Sequence, residues 1–232
     1  MHEHHGEIPQ PTVSQAWYQL GVLVIDGSAS MTAPYAEDRE VGLAGGAVRS
    51  KAEATDDATR KFVERMRSGR NAPNFGLAVV YFNQNVTHER PPTKMLDLDP
   101  AASYNPTTYG TGGTAIHTGL DAAARIIERF RQEGAALEVP LSQVVVVMSD
   151  GEENSDLDMV RAAAERIKAL PETKLCSSLF ATRGQGAPGE PLLQEIATGM
   201  QFYQRIYDTE ALRKFFEASV TTVGRELARP VE

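Results

Sequence analysis

The chain has 232 residues, 41% of them hydrophobic and 23% charged, with a formal net charge of −8; this profile excludes a disordered or fibrous protein. The acidic balance excludes general binding to a phosphate backbone, so nucleic acid is not an expected partner. The single cysteine, Cys176, excludes an internal disulfide framework and fits a reducing, cytoplasmic setting.

Taken in order, Met1 to Gln15 is polar and lacks the apolar centre of a signal peptide. Its His2-Glu3-His4-His5 cluster contains metal-binding residue types, but it lies outside any periodic pattern and reads as a disordered start. No later apolar run approaches the roughly 18 residues of a membrane span. Val22 to Ile25 is an apolar run that stops abruptly at Asp26, Ser28 and Ser30. It predicts a buried parallel strand whose carboxyl end carries three oxygen side chains. An uncompensated carboxylate there costs several kcal/mol in order of magnitude, so Asp26 calls for a cation, an Arg or Lys, or several N–H donors.

Thr32 to Gly46, with Pro34, three glycines and Glu37, Asp38 and Glu40, predicts a long loop beside that strand end. Val48 to Met66 predicts a helix, since Ala54, Ala58, Phe62 and Met66 recur every four residues. Phe75 to Phe82 is a second strand. Asn83-Gln84-Asn85 turns the chain into a short antiparallel strand at Val86-Thr87-His88, which Pro91-Pro92 is expected to end. After a loop from Lys94 to Gly113, a helix is marked by Ile116, Leu120, Ala123, Ile127 and Phe130 on one face.

Val144 to Met148 predicts another buried strand, ending in Ser149-Asp150-Gly151. Ser155 is the expected cap of the next helix, whose inner face is Leu157, Val160, Ala164 and Ile167. A strand at Leu175–Ala181 puts Cys176 in an apolar stretch, as a buried and inert thiol. A Gly/Pro loop from Thr182 to Gly189 leads to a short helix from Pro191 to Gly199. A last strand spans Gln201 to Ile206, and Asp208 or Thr209 caps a final helix through Phe215, Phe216 and Val220. Alternating strands and helices predict an α/β, doubly wound, mostly parallel central sheet with one short antiparallel edge strand and helices on both faces. One domain is expected over residues 16–224, between a polar N-terminus at 1–15 and a tail at 225–232.

Asp26, Ser28, Ser30, Thr114 and Asp150 are all oxygen donors at the predicted carboxyl edge of the sheet, where ligands bind open α/β folds. Two carboxylates and three hydroxyls form a hard-cation set suited to Mg²⁺, and the lack of a His/Cys cluster argues against zinc as the native ion. With Asp26-Gly-Ser28-Ala-Ser30, Gly112-Gly113-Thr114 and Asp150-Gly151 in order, the sequence resembles the von Willebrand factor type A family and its metal-ion-dependent adhesion site, MIDAS. The resemblance extends over about residues 18–224.

It implies that Ser28 and Ser30 bind the metal directly and that Thr114 does so directly or through water. Asp26 and Asp150 bind the ion or hold its waters. The ion is Mg²⁺, or Mn²⁺ or Ca²⁺, and one position is left for a partner's Asp or Glu carboxylate. The family does no chemistry on that group. Stand-alone bacterial members resemble those of tellurite-resistance and similar stress systems, which work beside kinases, phosphatases or AAA+ ATPases. The expectation is therefore a cytoplasmic, non-enzymatic protein-binding module, monomeric on its own.

Competing readings are a metal-assisted hydrolase using Ser28 with His117 or His88, and a domain whose cation only ties loops together. Gly110-Thr-Gly-Gly-Thr114 lacks the Lys and the spacing of a P-loop. Asp97, Asp99, Glu152, Glu153, Asp156 and Asp158 are either a solvated surface or an acidic rim that filters partners. The Thr32–Gly46 loop is the expected surface for partner choice.

Overall fold

The computed structural model describes residues 18–34, 49–135, 140–151, 153–182 and 186–226, with side chains to residue 221. The polar N-terminus, residues 35–46 of the expected loop, Glu152, residues 183–185 and tail residues 227–232 lie outside the described residues.

The first apolar run forms β1 (Gln19–Asp26), buried from Leu20 onward. It is followed by β2 (Phe75–Phe82), β3 (Val86–Lys94), β4 (Ser142–Ser149), β5 (Thr173–Phe180) and β6 (Tyr203–Ile206). They form one sheet in the order β3-β2-β1-β4-β5-β6, in which only β3 runs antiparallel to its neighbour. Five helices are seen among the described residues: α1 (Lys51–Arg67), α2 (Ile116–Gly134), α3 (Leu157–Lys168), α4 (Glu190–Ile196) and α5 (Thr209–Glu226). None of the helices is long and apolar enough to cross a membrane.

Successive strand residues face opposite layers, because side chains alternate along a strand. Leu23 and Ile25 pack with Phe62 of α1 and Phe216 of α5, while Val22 and Val24 pack with Leu120 of α2, Val160 of α3 and Leu193 of α4. Phe62 and Phe216 meet edge to face at 6.0 Å, tying α1 to α5. Each central strand is covered on both sides, which is why these segments read as unbroken apolar runs. Cys176 is buried, and burial pushes its thiol up to about 11.

Several local expectations are corrected. The edge strand does not stop at Pro91-Pro92 but runs to Lys94, with a register shift that places the prolines opposite Ala78. An edge strand with a bulge needs no N–H from those positions, so proline is tolerated there. The first long helix starts at Lys51, not Val48. Ser50 accepts from Glu53 N at 3.1 Å and Glu53 accepts from Ser50 N at 2.7 Å, a reciprocal capping box. Asp156, not Ser155, caps α3, and Leu157 is 43% exposed rather than on the inner face. Of the two expected caps of α5, it is Asp208 that accepts from Ala211 N, at 2.6 Å.

Candidate metal centre

Chain connections from β1 and β4 leave in opposite directions, so the crevice between their carboxyl ends is the switch point where open α/β sheets bind ligands. The β1–β4 register, Ile25 opposite Met148, brings Asp26 beside Ser149 and Asp150. Asp26 is fully buried. Its Oδ1 accepts from Ser28 N at 2.7 Å and its Oδ2 from Ser149 Oγ at 2.6 Å. Beside it, Ser28 Oγ and Ser30 Oγ lie 3.0 Å apart, and Ser30 Oγ donates to Asp150 Oδ1 at 2.8 Å. Four of the five predicted residues thus stand in one small cluster of hydrogen bonds.

Thr114 joins it by a different route. Ala29 N donates to Gly112 O at 2.9 Å, which pins the Gly-Gly-Thr loop against the loop after β1. Asn154 then grips the Thr114 backbone from the loop after β4: Thr114 N donates to Asn154 Oδ1 at 2.8 Å, and Asn154 N donates to Thr114 O at 2.9 Å. These contacts use only the Thr114 backbone and do not consume its hydroxyl. Two glycines permit the tight geometry. A Cβ on Gly27 would sit 2.8 Å from Pro106 O, and Gly151 turns the chain after Asp150 at φ +107°.

Burial is the main force raising the Asp26 carboxyl to about 6, with the nearby Asp150 charge adding to it against the Ser149 and Ser28 hydrogen bonds. A buried carboxylate with few donors is a group that a cation would stabilise. Among the described residues no group of three or more His, Cys, Asp or Glu is placed to hold a metal ion. The cluster is instead hydroxyl-rich, with two carboxylates, and its donors fit a hard cation that retains waters.

Four contributors escaped the sequence reading. Ser149 caps the Asp26 carboxylate, although it stands inside the quoted Ser-Asp-Gly. Lys51 Nζ donates to Asp150 Oδ2 at 2.8 Å, with side chains only 10% and 2% exposed. Asn154 positions Thr114. Glu153 is not a rim charge: its carboxylate accepts from Ile116 N and Ser155 N, capping α2. No motif signal points to Lys51, whose partner is 99 positions away.

The remaining rim acids separate. Asp97 and Asp99 follow β3, whose end at Lys94 pairs with Gly76 at the amino end of β2, so they lie at the opposite edge of the sheet from Asp26. Asp156 and Asp158 are exposed near the site, with Asp158 paired to Arg161 at 2.9 Å. His117 Nδ1 lies 2.9 Å from Ser155 Oγ, and His88 stacks on Tyr109 at 4.0 Å. The hydroxyl partner of Ser28 is Ser30, not either histidine. A groove of about 440 Å³ includes Gly151 and Asn154 and is lined by apolar Leu157, Pro188, Pro191 and Leu192 together with charged Glu153, Arg161 and Glu195.

A family model, the von Willebrand factor type A domain, matches residues 22–218. Among solved structures, the pilus adhesin SpaC from Lactobacillus rhamnosus GG is similar with a TM-score of 0.61 at 11% identity, covering 90% of this chain and 30% of SpaC. The vWF domain of the type V pili tip protein Mfa5 from Porphyromonas gingivalis has a TM-score of 0.58 at 14% identity, covering 94% of this chain and 98% of that one. Proximal thread matrix protein 1 from the mussel byssus, solved with a zinc-occupied MIDAS motif, has a TM-score of 0.54 at 19% identity, covering 88% of this chain and 47% of that protein. At these identities the likeness shows the fold alone, and the chain spans under a third of SpaC. A search of curated protein sequences returned no match.

Proposed function

The chain belongs to the von Willebrand factor type A domain family, a family of protein-interaction modules, and from that premise we propose that it docks a partner carboxylate on a divalent cation held in a MIDAS. The observation that carries this reading is the cluster at the β1/β4 switch point, Ser28–Ser30–Asp150 beside a fully buried Asp26.

In this reading Asp26 and Asp150 supply the negative charge, and Ser28, Ser30 and Thr114 supply neutral hydroxyls. The ion is Mg²⁺, with Mn²⁺ or Ca²⁺ as alternatives, and when bound it supplies a Lewis-acidic docking point for one outside carboxylate. The residues around it act by position. Ser149 fixes the Asp26 carboxylate, Asn154 fixes Thr114, and Gly151 turns the chain away so that the cup stays open. The groove that includes Gly151 gives a partner mixed apolar and charged contact next to the docking point. No turnover is assigned to the site.

A cytoplasmic location, supported by the lone buried Cys176, belongs to the same proposal. So does a place in a bacterial stress-response or signalling assembly of the tellurite-resistance kind, with a kinase, phosphatase or AAA+ ATPase as partner; this rests on the family resemblance.

The test is capture of partners from lysate of the source cells on immobilised wild type and Asp150→Ala protein, with Mg²⁺ or with EDTA. A partner retained only by wild type in Mg²⁺ is expected. A partner retained equally by both proteins and in both buffers would refute carboxylate docking on a metal.

A further inference from the structure

We propose that Lys51 is a built-in counter-cation of the metal cup, one that weakens cation binding and leaves the loaded cup with a net positive charge for an incoming carboxylate. This rests on the metal-dependent reading above. Lys51 reaches Asp150 from a different layer of the fold. It is the first residue of α1, its N–H donates to Ala33 O at 3.1 Å, and the Ser50–Glu53 capping box fixes the turn from which its side chain leaves. Its ammonium lies 2.8 Å from Asp150 Oδ2, and Asp150 Oδ1 is taken by Ser30. Both oxygens of this carboxylate are therefore engaged within the chain.

The pair is well shielded from water, with side-chain exposures of 10% and 2%. Charges so placed interact more strongly than surface pairs. An ammonium on Asp150 lowers the attraction of that carboxylate for a second cation. It also changes the sum of formal charges: Asp26, Asp150 and Lys51 total −1, so a divalent ion brings the cup to +1. Without Lys51 the two carboxylates would neutralise the ion, and little charge would remain to draw in a partner's Asp or Glu. Lys51 thus trades metal affinity for electrophilicity.

The experiment uses the full chain and Mn²⁺ alone as the metal probe, titrated by calorimetry into wild type, Lys51→Met, Lys51→Gln and Lys51→Arg proteins. Met keeps the buried stem, Gln keeps a hydrogen-bond donor, and Arg keeps the charge. Both neutral variants are expected to bind Mn²⁺ at least about tenfold more tightly, and Arg to stay near wild type. In EDTA the neutral variants should melt earlier, because Asp150 is left buried without its counter-charge, and Mn²⁺ should raise their Tm by more than it raises that of wild type. With Mn²⁺ saturating, paramagnetic broadening of acetate protons should be weaker for Met and Gln than for wild type.

Two neutral variants that fold in Mn²⁺ and bind it no more tightly than wild type would overturn the role of Lys51, while the docking proposal would stand. Undiminished acetate broadening would overturn its effect on the loaded cup. A wild type and variants that all fail to bind Mn²⁺ would overturn the docking proposal and this one together.

Discussion

Asp26→Asn removes a charge from the cup while keeping its shape. The amide oxygen can still accept from Ser28 N, and the amide nitrogen can donate to Ser149 Oγ, so the two hydrogen bonds of the carboxylate survive. What changes is the cost of a buried charge. In the folded protein the Asp26 carboxyl is raised from an ordinary 3.8 to about 6, chiefly by burial. At about 1.4 kcal/mol per pH unit, this corresponds to about 3 kcal/mol at neutral pH in a metal-free protein.

The sign follows from the direction of the shift. Between about pH 4 and pH 6 the folded state holds a proton that the unfolded chain releases. The stability linked to Asp26 is therefore full below about pH 4 and lost as the pH rises through 6. Urea unfolding of both proteins in EDTA, followed by circular dichroism from pH 4 to pH 8, isolates this group, because other titrations cancel in the difference. The Asn variant should match wild type near pH 4 and exceed it by about 3 kcal/mol at pH 7. Mg²⁺ at about 1,000 times its Kd should reverse the order, because it adds about 4.1 kcal/mol to wild type while the Asn variant should gain little. An Asn variant no more stable than wild type at pH 7 in EDTA, with a difference flat in pH, would refute a destabilising buried charge at Asp26.

Two further outcomes concern the frame around the cup. Gly119→Ala should lose stability although it sits inside a helix, where Ala is better than Gly by about 1 kcal/mol. The added Cβ would stand 2.6 Å from Val24 Cγ1 and 2.9 Å from Phe82 Cδ1, and such overpacking costs about 1–3 kcal/mol; a variant more stable than wild type in urea would contradict this packing. Ser50→Ala should cost about 1 kcal/mol by breaking the capping box and should also shift Mn²⁺ affinity by loosening Lys51; unchanged urea midpoint and unchanged affinity would show that the box positions nothing.

Much of this was legible because central strands of a parallel sheet are buried on both faces. β2 and β4 announce themselves as apolar runs, and the residues where such runs break, Asp26 and Asp150, are those at the sheet's carboxyl edge. Legibility fell where one residue type serves two purposes. Pro91-Pro92 reads as a stop, yet a bulged edge strand has no use for those N–H groups. Ser155 and Asp156 are equally good cap types, but the Ser155 hydroxyl is engaged with His117, and Asp156 takes the helix. Asp97 and Asp99 looked like rim acids because the length of β3, which carries them to the far edge, depends on that same bulge. Lys51 was invisible for a different reason: nothing local marks a helix-start lysine whose ammonium pairs with Asp150, just past the end of β4.

The bridge between Pro34 and Ser50, reinforced by Lys51 N on Ala33 O, closes a ring in the chain just outside the cup. Both contacts are made by the main chain, so the clasp does not depend on which side chains stand at Ala33, Pro34 or Ser50. The base from which Lys51 reaches Asp150 is therefore held twice over, by this clasp and by the Ser50–Glu53 capping box.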